Sequence, residues 1–246
     1  MSKLLYLTIL IYLPTLVACR KNNYQSNKTA AINVFNGYIR NNVLLKMNGS
    51  INSSGVNSSN ARQSRVSFGG NILFYAESQK TTFEILNAVD TTSIVSTNYE
   101  LASGGIYTLL LAGIAPKADL IMIDDSNIPY VDPSRTPAEA DSVIKIRFIN
   151  LCPDTEPLDI RIEGNSTNEV TGLIYKNYTP FNIYSAKMES YSGTIIFEVV
   201  ENGNILKKYS LIISNSNRFK NLAFVLTGMK TPATGLPALN VSMMNY

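Results

Sequence analysis

An internal repeat is the feature that most constrains the fold of this chain. Three pairs of segments align, residues 32–49 with 146–164, residues 107–116 with 221–230, and residues 118–125 with 238–245. The first pair reads INVFNGYIRNNVLLKMNG and IRFINLCPDTEPLDIRIEG, and each copy has an apolar run, an asparagine, a bend and a second run that ends at glycine. Three matches in the same order and at nearly constant spacing predict two domains of one fold.

The repeated segments have the pattern of strands. Alternation of apolar and polar residues, as in KIRF at 145–148 and DIRIE at 159–163, is typical of half-buried strands. In the first of these strands it predicts Ile146 and Phe148 on the inward face and Lys145 and Arg147 on the outward face. Past the N-terminal segment, no stretch of ten or more residues keeps a helical period, and Asn-Gly and Gly-Asn turn signals separate the runs. With 45% apolar residues the chain can bury a core. We therefore predict an all-β protein of two tandem antiparallel β-sandwich domains.

The composition shifts place the boundaries between these units. We predict a signal peptide at 1–18, a polar tether at 19–30, a first domain at 31–126, a proline-rich linker at 127–142 and a second domain at 143–246. The linker, NIPYVDPSRTPAEADS, holds three prolines, which favour an extended connection between domains.

The N-terminal segment determines the predicted location. An apolar run from Leu4 to Leu13 is too short to span a membrane and has the length of a signal peptide core. The residues that follow, LVAC at 16–19, resemble the bacterial lipoprotein lipobox, which implies a diacylglycerol on the Cys19 thiol and cleavage before it. A plain signal peptide with an incidental cysteine is the alternative. Arg20 and Lys21 follow in place of Asp, so we expect the outer membrane, facing either the periplasm or the cell surface.

Several classes of function are excluded by what the sequence lacks. It contains no histidine, so Ser-His-Asp and Cys-His catalysis and the usual zinc sites are not available. Its net charge is only +3 and the charges are mixed, which argues against nucleic acid as a partner. If Cys19 carries lipid, Cys152 has no disulfide partner, and we expect it to be a small buried side chain. The sequence predicts no cofactor and no metal site.

Acidic residues occur in two clusters, Asp124-Asp125 and the trio Asp154, Glu156 and Asp159. Both lie among proline, asparagine and serine, so we interpret them as solvated turn residues. The alternative is a carboxylate-dependent hydrolase that uses Asp154 and Asp159.

The bend in the second domain carries a family resemblance. The segment IRFINLCPDTEPLDIRIEG resembles the domain-of-unknown-function family 4397, and the residues at its motif positions are Asn150, Pro153, Asp154, Pro157, Asp159 and Gly164. The resemblance implies Ig-like or transthyretin-like sandwiches in secreted and lipid-anchored bacterial proteins of the Bacteroidetes type, and it implies no known reaction. The first domain is the more divergent copy. We expect a structural role for the motif, in which the prolines stiffen the bend and Asp154 accepts hydrogen bonds from amides two residues on.

The leading functional hypothesis is a non-enzymatic, lipid-anchored envelope protein that acts as a binding or structural module. A glycan-binding accessory protein or a fimbrial subunit is the alternative, with a glycan or another envelope protein as partner. The candidate binding loop is residues 49–64, with Asn52, Asn57, Asn60 and Arg62, and a disordered hairpin tip is its alternative interpretation. Thr91 and Ser142 lie in short motifs that resemble bacterial O-glycosylation sites.

Overall fold

The structure is a computed structural model that describes residues 29–39, 42–48, 65–128, 143–186, 193–214 and 217–246. Every regular element in these ranges is a strand. Among the described residues, no helix has the length and hydrophobicity that crossing a bilayer requires.

The first domain contains strands β1 to β8. Their bounds are β1 Thr29–Asn36, β2 Val43–Met47, β3 Arg65–Val66, β4 Asn71–Glu77, β5 Lys80–Asn87, β6 Ser93–Glu100, β7 Ile106–Ile114 and β8 Lys117–Asp124. One sheet has the order β4-β1-β7-β8 and the other has the order β3-β2-β5-β6. Strand structure starts at Thr29, two residues before the predicted start of the domain.

The second domain contains strands β9 to β17. Their bounds are β9 Val143–Asn150, β10 Leu158–Ile162, β11 Asn168–Leu173, β12 Asn177–Tyr178, β13 Asn182–Ser185, β14 Thr194–Glu201, β15 Asn204–Ile212, β16 Asn221–Thr227 and β17 Asn240–Asn245. One sheet has the order β12-β9-β16-β17, with β13 also paired to β9, and the other has the order β11-β10-β14-β15.

In each domain the two sheets enclose an apolar core, so the predicted tandem β-sandwich fold is confirmed. Aromatic rings fill the centre of the second core, where Phe148, Phe197 and Phe224 meet edge to face with centroids 5.3 to 5.7 Å apart. The pairing is mostly antiparallel, as expected. One pair in each domain, β1 with β7 and β9 with β16, is parallel.

Two glycines show how the repeats correspond. Gly113 follows β7 residues that pair with β1, and Gly228 follows the matching part of β16. Both have positive φ, and a Cβ at either would lie 2.3 Å from a carbonyl oxygen of the chain that turns back past it. Pairing Gly113 with Gly228 moves the alignment of these strands by one residue from the one read off the sequence.

The two domains pack against each other through the outer faces of the sheets that contain β1 and β9. Phe35, Leu110 and Ile123 of the first domain join Ile149, Val225 and Met244 of the second in one buried cluster. At this interface Gly37 lies against Leu151, and a Cβ at Gly37 would be 2.6 Å from the Cδ1 atom of Leu151. The molecule therefore has three apolar layers, two inside the sandwiches and one between them.

Candidate functional site

Asn150 links the two sheets of the second domain. Its Oδ1 atom accepts a hydrogen bond from the backbone N–H of Cys152 at 2.9 Å, and its Nδ2 atom donates to the carbonyl of Leu173 at 3.2 Å. Asn36 does the same in the first domain, with the N–H of Tyr38 and the carbonyl of Val66. A fully buried amide with these partners closes the bend after the first strand of each domain.

Asp154 fastens the bend to a distant segment. Its Oδ1 atom accepts from the backbone N–H of Lys230 at 2.7 Å, and its Oδ2 atom accepts from that of Thr231 at 2.8 Å. The prediction that Asp154 would bind amides two residues on is wrong, because the residue that forms that local turn is Asn150. The Cys152 thiol also donates to Oδ1 at 3.3 Å, and burial first, then Asp154, raises the pKa of Cys152 to about 12.

We expect Asp154→Asn to lower the free energy of unfolding at neutral pH by about 1–3 kcal/mol, because an amide cannot accept both amide protons as a carboxylate does. Burial opposes ionisation of Asp154, but the N–H groups of Thr231 and Lys230 outweigh it and lower its pKa. Because its pKa is lower in the folded state, the ionised carboxylate stabilises the fold at pH values above the unfolded-state pKa of about 3.9. This stabilisation is lost as the pH falls through the folded-state pKa. Denaturant titrations across this range should show the wild type and the variant converging in acid.

Glu156→Gln is the matched control, since Glu156 is two residues away and exposed. If the difference in free energy of unfolding between the wild type and Asp154→Asn did not become smaller from pH 7 to acid, the role given to the Asp154 carboxylate would be contradicted.

The other motif residues are also structural. The Oδ1 atom of Asp159 accepts from the N–H of Gly172 at 2.9 Å, and its Oδ2 atom accepts from the Asn168 amide at 2.8 Å. Gly164 has φ +85° in the turn after β10. Pro153 and Pro157 flank the turn between β9 and β10. The motif thus holds strands together, and all oxygens of Asp154 and Asp159 already accept hydrogen bonds.

Among the described residues, no cluster of three or more His, Cys, Asp or Glu side chains is placed to hold a metal ion. Cys152 is fully buried, as expected.

Asp125 and Arg147 form a buried ion pair between the domains, which corrects two expectations. The guanidinium donates from Nη1 to Oδ1 at 2.7 Å and from Nη2 to Oδ2 at 2.9 Å, and each residue is at most 5% exposed. Asp125 was expected in a solvated turn, and Arg147 on the outward face of its strand. Both expectations are wrong, because that face is covered by the other domain.

Aromatic rings complete the environment of Arg147. Its guanidinium carbon lies 4.7 Å from the ring centroid of Tyr246 and 4.9 Å from that of Phe181. The Tyr246 hydroxyl accepts from Nη2 of Arg147. Burial lowers the pKa of Arg147, and the charge of Asp125 opposes that effect. A bidentate pair packed between rings is a strong and directional contact between the two sandwiches.

A groove of about 610 Å³ lies between the two domains, at the end where β1, β7 and β16 begin. We call it the interdomain groove; Asn33, Asn71, Leu73 and Ile106 line it from the first domain, and Asn221 and Asn245 from the second. Leu73 is 52% exposed and Ile106 is 37% exposed.

The amides of the groove are held in place across the domain boundary. Asn33 donates from Nδ2 to the carbonyl of Asn245 at 3.0 Å, and its Oδ1 atom accepts from Nδ2 of Asn71 at 2.9 Å. Asn71 is exposed, and its contact with Asn33 is the one hydrogen bond of its side chain among the described residues, so its oxygen and second N–H can meet a ligand. The one charged side chain in the described lining is that of Lys220. This wall can therefore bind an uncharged polar ligand.

One strand carries a local sign of this groove. The strand NILFYAE is apolar on both faces, with Phe74 and Ala76 in the core and Leu73 and Tyr75 outward. The residues brought together at the groove come from both ends of the chain, as the contact of Asn33 with Asn245 shows. No local pattern links them.

Several predicted sites lie outside the described residues. They are Cys19, the loop residues Asn52, Asn57, Asn60 and Arg62, and Ser142. Thr91 is described and exposed, with φ +59°, in the turn between β5 and β6.

No protein-family model matches the chain, and no curated protein does. Among solved structures, a family 41 carbohydrate-binding module from streptococcal virulence factors, described for alpha-glucan recognition, is 11% identical with a TM-score of 0.23. The alignment covers 87% of this chain and 97% of the module. A family 26 module from Eubacterium rectale Amy13K, in complex with maltoheptaose, is 10% identical with a TM-score of 0.21, and the coverage is 85% and 100%. At these values neither likeness carries an argument about this chain.

Proposed function

We propose that this protein is a lipid-anchored envelope protein that binds an uncharged glycan in the interdomain groove. The observation that carries the proposal is the lining of the groove, in which exposed apolar side chains and amides stand side by side. Ligand sites in proteins are concave, largely apolar, and fixed by a few polar groups, and they occur preferentially between domains.

A sugar matches both kinds of surface. Its C–H faces would lie on Leu73 and Ile106, and its hydroxyls both donate and accept, as do the amides of Asn71 and Asn245. Because Lys220 is the one charged side chain of the described lining, the side chains there do not select strongly for a charged ligand. The ion pair of Arg147 and Asp125 keeps the two walls at a fixed separation, so less order is lost on binding.

The groove is proposed to bind without catalysis. Its described lining contains no Asp, Glu or Cys side chain, and the chain has no histidine, so these side chains supply no acid–base pair for glycoside hydrolysis. The remote hydrolase hypothesis used Asp154 and Asp159, whose oxygens instead accept structural hydrogen bonds.

The anchor is the second part of the proposal and rests on the LVAC segment at 16–19. Metabolic labelling with a palmitate analogue should mark the wild type and not Cys19→Ser, which should also leave the membrane fraction. Equal labelling of the two, or none in the wild type, would remove the anchor and leave the groove proposal standing.

Glycan binding is tested with purified Cys19→Ser protein on neutral malto-, cello-, manno- and xylo-oligosaccharides, with isothermal titration for those that bind. We expect Asn71→Ala to weaken binding about tenfold, the loss of one good hydrogen bond. Asn204→Ala, at the β14–β15 hairpin, is the control and should bind as the wild type does. Failure of every series to bind, or an unchanged Asn71→Ala, would refute the groove as a glycan site.

A further inference from the structure

The interdomain groove continues onto an uncovered part of the first domain. On β4 the side chains of Asn71, Leu73 and Tyr75 lie on one face, because Phe74 and Ala76 between them point into the core. Asn71 and Leu73 line the groove, and Tyr75 is the next side chain outward along the same row. Leu73 is 52% exposed and Tyr75 is 53% exposed.

The register places Tyr75 level with a small residue of the neighbouring strand. Ala31 of β1 pairs with Tyr75 on one side and with Ile106 of β7 on the other. The row Tyr75–Ala31–Ile106 therefore crosses three strands. The backbones of its two outer strands, β4 and β7, are about 10 Å apart. The central residue contributes only a methyl group. We call this row the Tyr75 shelf.

The second domain covers the sheet next to the shelf and not the shelf itself. Phe35, farther along β1 on the same face, is fully buried against the second domain, and Leu110 of β7 is as well. At the level of Ala31 the apolar residues Tyr75 and Ile106 remain exposed. The shelf thus shares Ala31 and Ile106 with the lining of the groove and extends that apolar surface outward to Tyr75.

We propose that Tyr75 forms a second subsite, in which its ring stacks on a sugar ring next to the one held in the groove. This inference rests on the proposed glycan binding. It names the ligand as a neutral oligosaccharide chain and not a single sugar. An aromatic ring beside a small residue gives a planar apolar surface, which suits the C–H face of a sugar ring.

The absence of charge on the shelf favours this occupant. The side chains of the Tyr75 shelf and of Leu73 are all uncharged. Asn71, on the same face of β4, adds an uncharged amide. An acidic partner would find no cation among these side chains. Glu77, the next residue on this face of β4, is the nearest charged side chain along the strand. An uncharged chain of rings can stack on Tyr75 while the amides in the groove bind its hydroxyls.

The test is isothermal titration of the Cys19→Ser protein with each neutral series used above, from the monosaccharide to the heptasaccharide. We expect the affinity of the wild type to rise about tenfold or more once the ligand is long enough to reach Tyr75. Tyr75→Ala should abolish that rise and leave the affinity for the shortest binding ligand unchanged, and Tyr75→Phe should retain it.

Each outcome separates this inference from the proposal beneath it. If Asn71→Ala weakens binding and Tyr75→Ala keeps the length dependence of the wild type, the shelf is not a subsite and the groove stands. If no saccharide binds, the proposed glycan binding in the groove and the Tyr75 subsite are both refuted. If sedimentation shows a dimer that Tyr75→Ala dissociates, the shelf covers a second copy of the chain and the subsite is refuted.

Discussion

Arg147→Ala is expected to lower the free energy of unfolding by about 3–5 kcal/mol, because it leaves the Asp125 carboxylate buried without its cation. In the variant, the Thr108 hydroxyl, 2.6 Å from Oδ2, is the one side-chain group among the described residues that would still donate to this carboxylate. The rings of Phe181 and Tyr246 would also lose the guanidinium that they flank. Urea titration followed by circular dichroism measures the change.

A second ion pair between the domains gives a matched control. Lys176 and Asp119 join the same two domains at 2.6 Å, but their side chains are 36% and 56% exposed. Lys176→Ala should cost less than about 1 kcal/mol, since water screens exposed pairs. A cost for Arg147→Ala as small as that of Lys176→Ala would show that the buried pair does not hold the domains.

A double variant separates charge burial from packing. Arg147→Met combined with Asp125→Leu removes both charges and keeps apolar volume at the interface. Replacing both members of a buried pair by apolar groups is often neutral, so the double variant should be more stable than Arg147→Ala by several kcal/mol. If it is instead as unstable as the single variant, the loss comes from packing around the rings and not from an unpaired carboxylate.

Gly228→Ala is expected to have the second large effect, a loss of about 3 kcal/mol or more from backbone strain and crowding together. Gly228 has φ +84°, and its Cβ would lie 2.3 Å from the carbonyl oxygen and 2.8 Å from the carbonyl carbon of Ala238. These atoms are backbone and cannot rotate away. Relief requires β16 and the start of β17 to separate.

Gly164→Ala isolates the contribution of strain alone. Gly164 has φ +85°, almost the same as Gly228, but a Cβ there would meet no atom within 4 Å. It should cost about 1 kcal/mol, the low end for a non-glycine residue in this region. Thermal melts of the two variants should therefore differ clearly. Equal melting temperatures would mean that the chain near Ala238 moves aside without penalty.

The sequence predicted the features that depend on local pattern. Alternation and turn signals gave the all-β class, and the repeat gave two similar domains. Asn150 was identified through its motif, and its partner in the repeat, Asn36, makes the same hydrogen bonds. These features could be predicted because the residues that cause them are close along the chain.

The interface between the domains could not be predicted in this way. Alternation shows which face of a strand is polar, and it does not show whether that face meets water or another domain. For this reason the pattern predicts an outward Arg147, whereas the residue is buried at the interface. One signal was present. β16 is buried at every position and β7 at most, and strands that are apolar on both faces indicate a second covering layer.

The contact of Gly37 with Leu151 shows what joining two copies in one chain allows. These residues hold equivalent places, one after the repeated asparagine of each domain, and they touch each other. A pair of identical subunits related by a two-fold axis must put the same side chain on both sides of such a contact. Two copies joined in one chain are free of that restriction, because each can carry a different residue. Here the second domain supplies the Leu151 side chain, and the first domain supplies the space left by Gly37. Covalent linkage also makes the association of the halves independent of protein concentration.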